Sequence, residues 1–347
     1  MTPDADRSVP ARDAVAALHR RFAEAEAAGS SPVYERLATA VSGSDAIDLL
    51  ASLPAGKQQP NLLFGALRWH GAPVEDPPAA LAWLHEHWDD VRATVLEHST
   101  QTNEAARCAV LLPGLAELAA RTDGPLAVVE VGASAGLCLL HDAWRYRYAL
   151  PGGGEHLVGP ASSGVELPCT VDGPGAPARL PTAVPQIAWR AGLDLSPLDP
   201  ADPDTRRWLQ CLVWPEHADR AQRLRRALDV AARLRPRVVA GDMTTDLAPL
   251  LTQARRHLDE VAGRGRGAVV VTHSAALVYL DDGGRRAVLD VVADAGAHRL
   301  GAEGRAVLPH LERAVAPTHA GDRRFLVSLD AEPLALAAPH GSTLTFL

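Results

Sequence analysis

Across residues 11–121, apolar positions recur at three- and four-residue spacing within Ala-rich stretches, broken at Gly29-Ser30-Ser31-Pro32, Pro54-Ala55-Gly56 and the Pro73 to Pro78 region. That period keeps one face of each segment apolar and predicts helices, with no strand in this half. After Thr122-Asp123-Gly124-Pro125 the pattern changes. Short apolar runs at 126–131, 186–190, 237–240 and 268–272 alternate with helix-like segments at 135–147, 203–213, 217–234, 245–261 and 284–295. Runs without polar alternation belong to strands covered on both faces, so they predict a parallel sheet built from crossover units. A Pro/Gly-rich stretch, 148–185, reads as an insertion with its own small hairpin. Segments 324–330 and 342–347 read as a closing antiparallel pair around Pro339-His340-Gly341. The expected organisation is therefore a helical region over 1–122 and an α/β domain over 123–347.

Composition narrows the choice of partner. With 347 residues, 47% hydrophobic and 22% charged, the chain has the balance of a compact globule with an ample core. A net charge of −8 disfavours phosphate-backbone binding and favours a small-molecule substrate, with no nucleic acid expected. The apolar runs are too short to span a bilayer, and Met1-Thr2-Pro3-Asp4-Ala5-Asp6 lacks the apolar core of a signal peptide, so no membrane association and a cytoplasmic location are expected. Cys108, Cys138, Cys169 and Cys211 are too widely spaced for a Cys-x-x-Cys motif and read as free thiols. Lys57 is the sole lysine, which leaves one position for Schiff-base chemistry. His85-Glu86-His87 lacks the spacing of a helical zinc motif, and no metal is expected. Oligomeric state is not legible.

The chemistry concentrates at predicted strand ends. Glu130-Val131-Gly132-Ala133-Ser134-Ala135-Gly136 closes a buried strand with a glycine turn that would enter a helix, presenting amides to a ligand. Its Glu-x-Gly-x-x-x-Gly spacing is similar to the first motif of class I methyltransferases and lacks the middle glycine of the dinucleotide fingerprint. Asp194, after the second run, has the acceptor geometry for a ribose diol. Asp242, after the third, stands where, by that resemblance, methyltransferases often place a contact to the adenine amino group. Together Glu130, Gly132, Ser134, Gly136, Asp194 and Asp242 form a candidate S-adenosylmethionine site on a Rossmann-like methyltransferase fold, a mostly parallel sheet with helices on both faces. His273, ending the fourth run, is the candidate general base. Asn103, with its neighbours Glu104 and Arg107, either caps a helix or projects into the site.

These stretches also carry a resemblance. QPNLLFGALR (59–68), QTNEAAR (101–107), EVGASAGLCLL (130–140), RAGLDL (190–195), WLQCLVWPE (208–216), Gly241-Asp242 and Thr272-His273-Ser274 resemble an uncharacterised bacterial family, common in actinobacteria, over nearly the whole chain. The resemblance implies a methyltransferase-like core and makes QTNEAAR a family signature, with Asn103, Glu104 and Arg107 as substrate-binding candidates. Where many members of that family carry Asn, this sequence carries Cys138. The expected function is methyl transfer from S-adenosylmethionine to a small molecule. Non-methylating chemistry or NAD binding on the same fold, and a non-catalytic interaction protein, are the alternatives.

Overall fold

The computed structural model describes residues 5–315, 319 and 321–347. The start of the chain before Ala5, part of the stretch searched for a signal peptide, lies outside the described residues. The chain divides into two compact units, Met1–Thr102 with Asp202–Gln222 and Asn103–Ala201 with Arg223–Leu347. No helix among the described residues is long and apolar enough to cross a membrane.

The first unit is helical. Its helices include Pro32–Ser42, Pro60–Trp69, Pro77–Glu86, Trp88–Glu97 and Pro203–Cys211. Three of them start the same way: Ser31, Asp76 and Asp202 each accept a hydrogen bond from the amide three residues on, and each precedes a proline. A capping side chain satisfies an otherwise unpaired N–H, and proline costs nothing at a first-turn position that has no intrahelical bond to lose. The core gathers Phe22, Tyr34, Phe64 and Trp208. Two of the motif stretches meet here. The Trp214 indole donates to Asn61 Oδ1 (2.9 Å), and Arg68 donates to the carbonyls of Cys211 and Val213. Glu216 accepts from the Ser31 hydroxyl (2.6 Å) and the Val33 amide (2.8 Å). QPNLLFGALR and WLQCLVWPE are thus structural complements within one core.

The second unit is an α/β fold with a large, mostly parallel sheet and helices on both sides. Among the described residues its strands are β1 (Leu126–Val131), β2 (Arg145–Ala149), β3 (Glu155–Val158), β4 (Glu166–Asp172), β5 (Ile187–Asp194), β6 (Val238–Ala240), β7 (Ala268–Ser274), β8 (His298–Glu303), β9 (Phe325–Leu329), β10 (Glu332–Ala337) and β11 (Thr343–Phe346). They hydrogen-bond in the order β3-β2-β4-β11-β10-β9-β8-β7-β1-β5-β6. Five strands, β6-β5-β1-β7-β8, are mutually parallel. Their order in the sheet reverses at β1/β7. On one face Val129, Val131, Leu193 and Val271 pack under helices Leu247–Ala262 and Asp282–Asp294. On the other lies helix Arg107–Ala120, whose Gly114 fits against Leu300 of β8. This helix falls within the region expected to belong to the N-terminal helical half, yet it is built into the sheet unit.

Three expectations are corrected. Segment 135–147 is not a helix. It holds two 3-10 turns, Leu137–Leu139 and His141–Ala143, and then β2. Gly136 is left-handed (φ 73°), which stops helical propagation, and Arg145-Tyr146-Arg147-Tyr148 alternates charged and aromatic residues as a strand does. The segment read as an insertion does not stand apart: β2 and β3 form its hairpin, and β4 joins the sheet through β11. The C-terminal pair is also not direct, because β10 intervenes and pairs antiparallel with both β9 and β11.

Candidate functional site

The glycine turn after β1 occupies the carboxyl edge at the point where the strand order reverses. Gly132 and Gly136 both have positive φ, and a Cβ on either would meet protein atoms at 2.8 Å, Ala276 Cβ and Pro236 Cγ respectively. Glycine is required there by conformation and by packing together. Each of the five amides from Gly132 to Gly136 has a protein acceptor. Gly132 and Ala133 donate to the Leu193 carbonyl (2.9 and 3.4 Å), Ser134 to Asp194 Oδ2 (2.8 Å), Ala135 to Asn103 Oδ1 (3.1 Å) and Gly136 to the Ala133 carbonyl (2.7 Å). No α-helix follows the turn, so it lacks the N-terminal dipole expected from the sequence.

Asp194 binds the turn from β5, its second oxygen accepting from the Ser196 amide at 2.8 Å. Each carboxylate oxygen retains a further acceptor position. Asp242 lies just past β6, beside Asp194, whose carbonyl accepts the Gly241 amide at 2.9 Å. Its Oδ1 accepts both the Thr244 amide and hydroxyl at 2.7 Å, and these bonds hold its carboxyl below the usual range.

Glu130 is buried on the face of helix Arg107–Ala120, with Oε2 unpartnered. Burial drives its carboxyl well above the ordinary value, Cys138 and Asp194 push the same way, and Arg107 opposes them. The shift favours the protonated form, which can donate a hydrogen bond. Thr272, its register partner on β7, also buries an unpartnered hydroxyl.

A family model described as an uncharacterised protein conserved in bacteria, DUF2332, matches residues 16–346. The chain belongs to this family. No curated protein and no solved structure matches it. In this DUF2332 chain the QTNEAAR residues within the sheet unit act as a bracket around the carboxyl edge. The Asn103 amide donates to Ser134 Oγ (2.7 Å) while its oxygen takes the Ala135 amide, so one side chain clamps the glycine turn. Glu104 forms a buried pair with Arg223 (3.0 Å) and accepts from the Ala106 amide. Arg107 donates to the carbonyls of Ser274 (3.0 Å) and Pro339 (2.9 Å), joining the end of β7 to the turn before β11.

His273 stands apart from this cluster. Strand alternation turns it, with Val271, toward the opposite face of the sheet. Its Nδ1 bonds Glu303 Oε1 (2.8 Å), and Arg299 donates to Nε2 (3.2 Å). Because a guanidinium only donates, the ring is the Nδ1–H tautomer and Nε2 is already occupied. Burial lowers its pKa, Glu303 opposes that and Arg299 reinforces it, leaving the ring neutral at pH 7. Glu303 Oε1 also accepts from the Ala276 and Leu277 amides (2.9 and 3.1 Å), fixing the loop beyond β7 where Ala275 is left-handed. The expected general base is thus buried, with both ring nitrogens hydrogen-bonded, on the face of the sheet opposite Glu130. Arg299 and Glu303 of β8, and Arg223, were missed in the sequence. The signal for the first two was the alternation Arg299, Gly301, Glu303 against Leu300 and Ala302. Among the described residues no group of three or more His, Cys, Asp or Glu is arranged to hold a metal ion.

Proposed function

We propose that the chain binds S-adenosylmethionine at the carboxyl edge of β1, β5 and β6 and transfers its methyl group to a small-molecule acceptor. The observation that supports this most is the parallel order β6-β5-β1-β7-β8 with an acid at each of three adjacent strand ends, Glu130, Asp194 and Asp242. Open α/β sheets bind ligands outside the carboxyl ends where strand order reverses. Asp194 has one free acceptor position per oxygen for the ribose hydroxyls. The unpartnered Glu130 carboxyl and Thr272 hydroxyl add polar atoms beneath the turn. Methyl transfer gains most of its rate from aligning nucleophile and sulfonium, a task for rigid groups such as the Asn103 clamp and the Glu303-fixed loop.

Calorimetry with S-adenosylmethionine and S-adenosylhomocysteine tests the reading. Both should bind in the micromolar range, and Asp194→Asn should weaken each by about tenfold, roughly 1.4 kcal/mol. Absence of heat at near-millimolar ligand removes the proposal. A second reading is favoured by the full engagement of the turn amides: the turn is a structural pin in a non-catalytic protein. It requires that neither ligand bind and that Asp194→Asn change only stability.

A further inference from the structure

Cys108 opens helix Arg107–Ala120 and Cys138 lies in the 3-10 turn just past Gly136. The Cys108 thiol packs against Cys138, donating to its carbonyl at 3.7 Å. The Cys138 thiol in turn approaches the Glu104 carbonyl at 3.5 Å. The other two cysteines, Cys169 on β4 and Cys211 in the helical unit, belong to different elements. We propose that Cys108 and Cys138 are a reversible thiol pair that peroxide converts to a disulfide across the base of the glycine turn.

The two thiols differ in the way such chemistry needs. Cys138 keeps 9% of its surface exposed and Cys108 none. The adjoining Cys108 thiol, and after it the Arg107 charge, pull the Cys138 pKa down against burial, whereas burial raises that of Cys108. Thiolate character and access together decide which thiol reacts first. Cys138 is the attacking sulfur: its thiolate displaces hydroxide from hydrogen peroxide and becomes a sulfenic acid. Cys108 then loses its proton to the departing hydroxide and attacks the Cys138 sulfur, forming the S–S bond and releasing water. The sum is two thiols and one peroxide giving one disulfide and two waters. Oxidation removes both S–H donors, so the Glu104 and Cys138 carbonyls lose these contacts at the bracket that holds the turn.

Intact mass spectrometry tests this after treating the folded protein with hydrogen peroxide, denaturing it and alkylating the remaining thiols. The expected product carries two alkyl groups in place of four, with a peptide map joining Cys108 to Cys138, and dithiothreitol restores four. Cys108→Ser should stop at a Cys138 sulfenic acid that dimedone captures, while Cys169→Ser and Cys211→Ser should still form the bridge. Four alkylated thiols after peroxide, or a bridge mapped to any other pair, overturns the proposal.

Discussion

Glu130 shows how one buried side chain sets a pH dependence. Its folded carboxyl keeps its proton well above the ordinary value of 4.5, chiefly through burial. Across that window the folded state binds more protons than the unfolded chain, so stability falls as pH rises. Glu130→Gln removes the titration and keeps the shape. The variant should match the wild type near pH 4 and exceed it increasingly as pH rises above that in urea unfolding, and a constant difference would sink the assignment. The role of Glu130 as a strand-end acid was legible from the Glu-x-Gly spacing. Its raised pKa was not, because that depends on burial under the covering helix and then on Cys138, which sequence separation hides. Asn103 was legible only as either a cap or a site residue; the structure makes it the clamp of the turn. For His273 the sequence showed the right strand end, and alternation set the opposite face.

At the scale of elements, apolar content decided what could be read. β1 and β7 are nearly uninterrupted apolar runs and stood out, and β5 proved longer than its run because Ala191-Gly192-Leu193-Asp194 continues the ladder. β8, His-Arg-Leu-Gly-Ala-Glu, did not, since half its residues are polar and their burial depends on the His273 network. β10 was hidden by Pro333 and two alanines. Within β8, Gly301 is fixed by close approach: a Cβ there would lie 2.1 Å from His273 Cε1. Gly301→Ala should therefore cost roughly 1–3 kcal/mol through overpacking. The loss should shrink when His273 is also Ala, and equal losses in both backgrounds would show that the ring is not the obstacle.

For the whole molecule, connectivity matters more than any single contact. The β3-β2-β4 group reaches the rest of the sheet through the parallel pairing of β4 with β11. A chain ending before Thr343 should lose that seam, exposing 145–172 to limited proteolysis ahead of β1 and β7. Unchanged resistance of that segment would refute the dependence. The change from helical to α/β character near Thr122 was visible in the sequence. The return of 202–222 to the helical unit was not, because Trp208 read as part of a crossover helix over 203–213.

That return orders events at the ribosome. The helical unit lacks Trp208, Cys211 and the Glu216 contacts with Ser31 and Val33 until translation has passed β5 and reached residue 222. At ~5–20 residues per second the wait is on the order of ten seconds. During it, Phe22, Tyr34 and Phe64 belong to an unfinished core while nascent strands accumulate beside it. The first unit to begin synthesis is thus not free to finish first, and a chaperone that shields aromatic surface has most to offer in that interval.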